Sequence, residues 1–167
     1  MKTKLLTILF LAGILFTMNS CSSDSSEENA VTAKAQAAVK FDYSASELAA
    51  MKLINDYRVS IGLNALEQIN YVSVKSEEHD QYMINKNVVS HDGFVSRSED
   101  IVKVVGAKNV GENIAYNYNT PEAAVNAWLK SASHKENIEG NFTHFGIAIR
   151  ENATTGKKYY TNIFVRI

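Results

Sequence analysis

One cysteine, one proline and one tryptophan stand among 167 residues. With Cys21 as the only cysteine, no disulfide can form within the chain, and a packed core must hold the fold. Charge of one sign is missing too. Seventeen Lys and Arg residues oppose 18 Asp and Glu residues for a net charge of −1, and the basic residues are scattered. Without a basic stripe, nucleic acid is excluded as an expected partner. The chain shows no internal repeat and no second composition shift that would mark another domain boundary. It also has no G-x-S-x-G elbow, no P-loop, no dinucleotide fingerprint and no pair of histidines at zincin spacing.

The one long apolar run, "LLTILFLAGILFTM", follows the positive "MKTK" and is too short to span a bilayer comfortably. Residues 1–20 therefore read as a signal peptide. The run ends at "MNSC", which resembles a bacterial lipobox with Met18 as a loose fit, so cleavage is expected before a lipidated Cys21. Ordinary secretion with a free thiol is the alternative, and an unpaired cysteine suits an oxidising compartment poorly. Residues 21–40 are small, polar and partly acidic, as in a tether that cannot bury enough apolar surface to order itself. Their "SDSSEE" resembles the acidic export tags of surface lipoproteins in some didermic bacteria. The expected location is the cell envelope, at the outer membrane or cell surface, with the membrane reached through the lipid alone. Residues 41–167 are long enough for one domain.

Periodicity sets out that domain. Ser44 and Glu47 have capping-box spacing, and Ala50, Leu53, Ile54, Tyr57 and Ile61 follow on one helical face up to Gly62. A second helix covers "INYVSVKSEEHDQYMINK", with a partly polar stripe of Ile69, Val72, Ser76, His79 and Met83. "SHDGF" is a loop, and "SEDIVKVVGA" is a helix ended by Gly106 or, given its Val and Ile content, a strand. Thr120 and Pro121 begin a helix whose Ala124, Ala127, Trp128 and Ser131 share a face, with Trp128 assigned to the core. Ser133 and Glu136 suggest another capping box. The C-terminal part alternates with period two, through Phe145, Ile147 and Ile149, then Tyr159, Thr161, Ile163 and Val165. Helices first and strands last indicate an α+β layered fold.

"VGENIAY" places the acid Glu112 in a strand-like run, where an apolar side chain would be easier to bury. The groups able to meet it are His79, His91, His134 and His144, and spacing alone does not choose among them. A structural carboxylate bonded to backbone amides is the plain alternative.

"LINDYRVSIGLNAL", "EEHDQYM", "VSHDGF", "GENIA", "AVNAWLKSASHKENI" and "FGIAI" occur in order. Together they resemble the bacterial branch of the CAP superfamily, the SCP-like extracellular domains related to cysteine-rich secretory proteins, antigen 5 and plant pathogenesis-related proteins. The resemblance implies a three-layer α-β-α sandwich with a central antiparallel sheet. It also implies a cleft that gathers two histidines and two glutamates. His91, Glu112 and His134 match three of these, and Ser131 stands where relatives carry the second glutamate. His79 and His144 have no role in that pattern.

A non-enzymatic binding module for a small ligand, lipid, glycan or protein is the first functional expectation, and a monomer is expected. The second is a metal-assisted hydrolase with His91 and His134 as ligands and Glu112 as general base. The third is a structural surface module with a vestigial cleft. No cofactor is required for folding, and a divalent metal such as zinc is an optional ligand of His91 and His134. With Glu112 nearby, the histidine pKa values are expected to rise unless metal or desolvation opposes it.

Overall fold

The computed structural model describes residues 39–167, so the signal segment, Cys21 and nearly all of the tether lie outside the described residues. Among the described residues, five helices and four strands follow one another as α1 (Ala45–Ser60), β1 (Glu67–Gln68), α2 (Asn70–Lys86), α3 (Phe94–Val105), β2 (Asn109–Tyr116), α4 (Pro121–Lys130), α5 (Ala132–Glu139), β3 (His144–Glu151) and β4 (Lys158–Arg166).

Local chemistry explains most boundaries. Ser44 and Glu47 cap α1 reciprocally, each side chain satisfying a backbone amide that the first turn leaves free. Thr120 caps α4, with Pro121 at its start. Gly106 closes α3 in the left-handed conformation at φ 69°, which resolves the helix-or-strand ambiguity in favour of a helix. Two expectations fail. Ser133 does not cap α5: Ser131 stands at that position and Ser133 is exposed within the helix, so the apparent capping box falls two residues late. Ile61 is 46% exposed, because α1 ends at Ser60 and the helical period no longer applies.

The strands order as β1-β3-β4-β2. β2, β4 and β3 pair antiparallel, while the two-residue β1 pairs parallel with β3, so the sheet is antiparallel except at that edge. Alternation along the strands divides the side chains between two helical layers. Phe145, Ile147, Tyr160 and Phe164 pack on α1, α4 and α5 through Ala50, Ile54, Ala124, Trp128 and Ile138. Ile163 and Val165 pack on α2 and α3 through Val72, Ile101 and Val105. The result is the expected three-layer α-β-α sandwich. The stripe on α2 is its buried face: Ile69, Val72, Ser76, His79 and Met83 are all buried.

Two features bear on the site. Gly146 faces α2 so closely that a Cβ there would overlap the backbone of Ser73 and Val72. β2 is an edge strand, and helices rather than another strand satisfy its outer carbonyls. Trp128 Nε1–H donates to Ile114 O at 2.8 Å, and Asn137 Nδ2–H donates to Glu112 O at 3.1 Å. Such cover prevents the open edge from pairing with another chain. Among the described residues no helix is long and apolar enough to cross a membrane.

Candidate functional site

Glu112 lies on β2 in register with Ile163, on the face that meets α2 and α3. Its side chain is 1% exposed, and both carboxylate oxygens are engaged. Arg97 of α3 donates to Oε2 through Nε at 2.9 Å and through Nη2 at 2.6 Å. His91, on the loop before α3, donates from Nδ1 to Oε1 at 2.8 Å. Arg97 also reaches the Asp92 carbonyl through Nη1 at 3.3 Å, so one guanidinium fastens both the acid and the loop. Both donors converge on Oε2 in charge-assisted bonds, which leaves Oε1 to His91.

His79 of α2 completes the group from below. Its Nε2 is 2.8 Å from the Ser90 carbonyl, which can only accept, so Nε2 carries the proton and donates. The same nitrogen is 4.0 Å from Glu112 Oε1, and Nδ1 is buried with no hydrogen-bond partner. Burial, followed by the neighbouring Arg97 charge, holds the His79 pKa below the ordinary histidine value. His79 is therefore a neutral strut that fixes the residue preceding His91.

On the other side of the edge strand, α5 carries His134. Asn113 Nδ2–H donates to the His134 carbonyl at 2.9 Å, which ties the start of α5 to β2. The His134 ring pairs Nδ1 with Ser131 Oγ at 2.9 Å. Burial is the main cause of a lowered His134 pKa, with the His91 charge second. His91, Ser131 and His134 all line one cavity of about 440 Å³, whose remaining wall includes Ile114, Ala115, Tyr116, Tyr118 and Trp128. His91 sits at its mouth, with its side chain 51% exposed.

A family model described as the cysteine-rich secretory protein family, CAP, matches residues 51–165. The chain belongs to the CAP family. It is 36% identical over 115 residues to the YkwD protein of Bacillus subtilis (strain 168), covering 66% of this chain and 45% of that protein. It therefore spans under half of YkwD's length. An outer surface protein of Borrelia burgdorferi shares the fold at TM-score 0.68 and 20% identity, over 76% of this chain and 96% of that one. An extracellular protein containing an SCP domain from Bacillus anthracis str. Ames does so at TM-score 0.64 and 24% identity, over 77% and 45%.

Within this CAP domain the expected cleft residues divide. His91, His134 and Ser131 share the cavity, and Glu112 stands behind His91. Glu112 bonds His91 directly, while the His134 ring is held by Ser131. At His134 the pKa is lowered, because burial opposes the charged ring, the exception the expectation allowed for. His144 lies apart from the site, 2.8 Å from Thr143 Oγ1 and 3.7 Å from Glu67. Sequence reasoning misses Arg97 altogether and undervalues His79. The stripe on α2 is the signal for His79, whereas Arg97 in "GFVSRSED" belongs to no pattern that singles it out.

The donor set does not fit a resident zinc ion. Among the described residues no group of three or more His, Cys, Asp or Glu side chains is placed to hold a metal. Zinc normally takes at least three protein ligands, and Glu112, which would be the third, is committed to Arg97.

Proposed function

We propose that this CAP domain is a lipid-anchored binding module of the cell envelope, not a hydrolase. The observation that carries the reading is the state of Glu112. A general base must reach a water, and this carboxylate is 1% exposed with both oxygens taken by Arg97 and His91. Its role is to orient His91. With Nδ1–H held by the carboxylate, the His91 ring is fixed in orientation at the mouth of the cavity. The surface and extracellular descriptions of the similar solved structures, together with the lipobox-like Cys21, support the envelope location.

A divalent ion is an occasional ligand of His91 and His134 in this reading, not a resident cofactor. Calorimetric zinc titration of the full chain tests it alongside His91→Ala and His134→Ala. The expected result is weak, reversible binding that either substitution abolishes. Stoichiometric zinc that survives purification, with hydrolysis of a peptide or ester that disappears in Glu112→Gln, would establish the metallohydrolase reading instead.

A further inference from the structure

A second cavity, of about 600 Å³, lies between α2 and α3 and shares no residue with the cavity between His91 and His134. Lys75, Glu78, His79 and Tyr82 stand three and four residues apart and line it from one face of α2. Arg97 and Asp100 line it from α3, and Asp92 from the turn before that helix. Among the described residues no aliphatic side chain lines this groove, although neighbouring helices ordinarily meet through apolar ones. An apolar ligand finds no matching surface there.

Both cations of the groove are already taken. Lys75 Nζ is 3.0 Å from Glu78 Oε2 and 2.8 Å from Asp100 Oδ2. Arg97 gives Nε and Nη2 to Glu112 and Nη1 to the Asp92 carbonyl. The acceptors are not used up. Tyr71 O–H donates to Asp100 Oδ2 at 2.7 Å and Tyr82 O–H to Asp92 Oδ2 at 3.0 Å, yet Glu78 Oε1, Asp92 Oδ1 and Asp100 Oδ1 have no donor among the described residues. Four carboxylates, Glu78, Asp92, Asp100 and Glu112, face Lys75 and Arg97, an excess of two negative charges. His79 adds an independent observation. Its side chain is 0% exposed, Nε2 donates to the Ser90 carbonyl, and Nδ1 has no partner. A buried polar atom in that state calls for a donor. Carboxylate oxygens and ring nitrogen thus lack the same thing, positively charged N–H. Among the described residues no group of three or more His, Cys, Asp or Glu side chains is placed to hold a metal. An ammonium group needs no such shell and brings three donors.

We propose that the groove between α2 and α3 binds an organic ammonium ligand, its amino groups on Glu78, Asp92 and Asp100 and its methylenes along the partly exposed Tyr82. Free polyamines and lysine side chains share this chemistry. The full chain, labelled with nitrogen-15, is titrated by NMR with spermidine and with acetyl-trilysine amide. Glutarate serves as an anionic probe, and sodium chloride is added at matched ionic strength. Either amine is expected to shift the Glu78 and Asp100 amides and the His79 ring nitrogens saturably, where salt does not. Tighter binding of spermidine marks a free polyamine as the source, and tighter binding of the peptide marks the lysines of a protein. Glu78→Gln and Asp92→Asn should each weaken binding about threefold, as for one exposed charge pair, with unchanged unfolding midpoints confirming an intact fold. The site is overturned if neither amine gives saturable shifts, if salt reproduces them, if they persist undiminished in the double variant, or if glutarate is preferred. Because the two cavities share no residue, that failure leaves the binding-module reading standing.

Discussion

Arg97 and Glu112 form a pair in which neither charge can be removed alone. Glu112 is 1% exposed and Arg97 10%, so Arg97→Met would leave a buried carboxylate hydrogen-bonded by a side chain only to His91. Breaking one side of such a pair costs about 3–5 kcal/mol. Denaturant unfolding of Arg97→Met should show a loss in this range, with Arg97→Met/Glu112→Leu recovering much of it. A single variant as stable as the parent would mean that the fork contributes nothing.

Asp80 is buried with its Oδ2 unpartnered, and only Thr161 Oγ1 donates to it, at 2.6 Å. Desolvation raises its pKa well above the ordinary carboxylate value. Because the folded value lies above the unfolded one, the stabilisation it gives is fully present below the unfolded pKa. It is lost as pH rises through the folded pKa. Asp80→Asn should therefore stabilise the fold more at pH 7 than at pH 4. Equal effects at both pH values would show that Asp80 does not titrate abnormally. His79 and His134 act in the opposite direction. Their folded pKa values are lowered, so the unfolded chain takes up protons first, and stability should fall as pH drops below about 6.5. The sequence makes Glu112 suspect because an acid in a strand needs a partner. It does not name Arg97, since a lone arginine in a short amphipathic helix usually reads as solvated.

At the scale of elements, the helix punctuation is the most legible part. Ser44 with Glu47, Thr120 with Pro121, and Gly106 all act where local chemistry places them, because each signal is satisfied within one turn. The start of α5 is illegible because Ser131 ends one helix and begins the next, a double role that spacing does not show. Trp128 is a core residue at 1% exposure, as its helical face indicates, yet it also floors the cavity and covers the Ile114 carbonyl. Trp128→Ala should cost about 3–5 kcal/mol, near the upper end because an edge carbonyl loses its donor as well. An unchanged denaturant midpoint would place this face of α4 in solvent. The closeness of α2 to β3 is not legible, since nothing marks Gly146 as a contact point before the layers are stacked. Gly146→Ala should destabilise by about 1–3 kcal/mol through the overlap with Ser73 and Val72.

For the whole molecule, the order of six short motifs indicates the family, and strand alternation separates the two cores. The parallel pairing of β1 with β3 is not legible, because two residues, Glu67 and Gln68, carry no alternation to read. Anchoring belongs to this scale as well. If Cys21 carries the lipid, Cys21→Ser should move the protein from the membrane to the soluble fraction, and full retention at the membrane would refute the anchor. The site depends on assembly too: α2, α3 and the loop between them hold His79, His91 and Arg97 on one face of β2, while α5 brings His134 from the other. What this assembly must achieve is the orientation of His91 by Glu112. Nitrogen-15 NMR of the ring nitrogens measures this directly in the parent chain and in Arg97→Lys and Glu112→Gln. The prediction is that neutral His91 carries its proton on Nδ1 in the parent and loses that preference in Glu112→Gln, while His134 keeps its own signals. A His91 ring with its proton mainly on Nε2, indifferent to both substitutions, would contradict it.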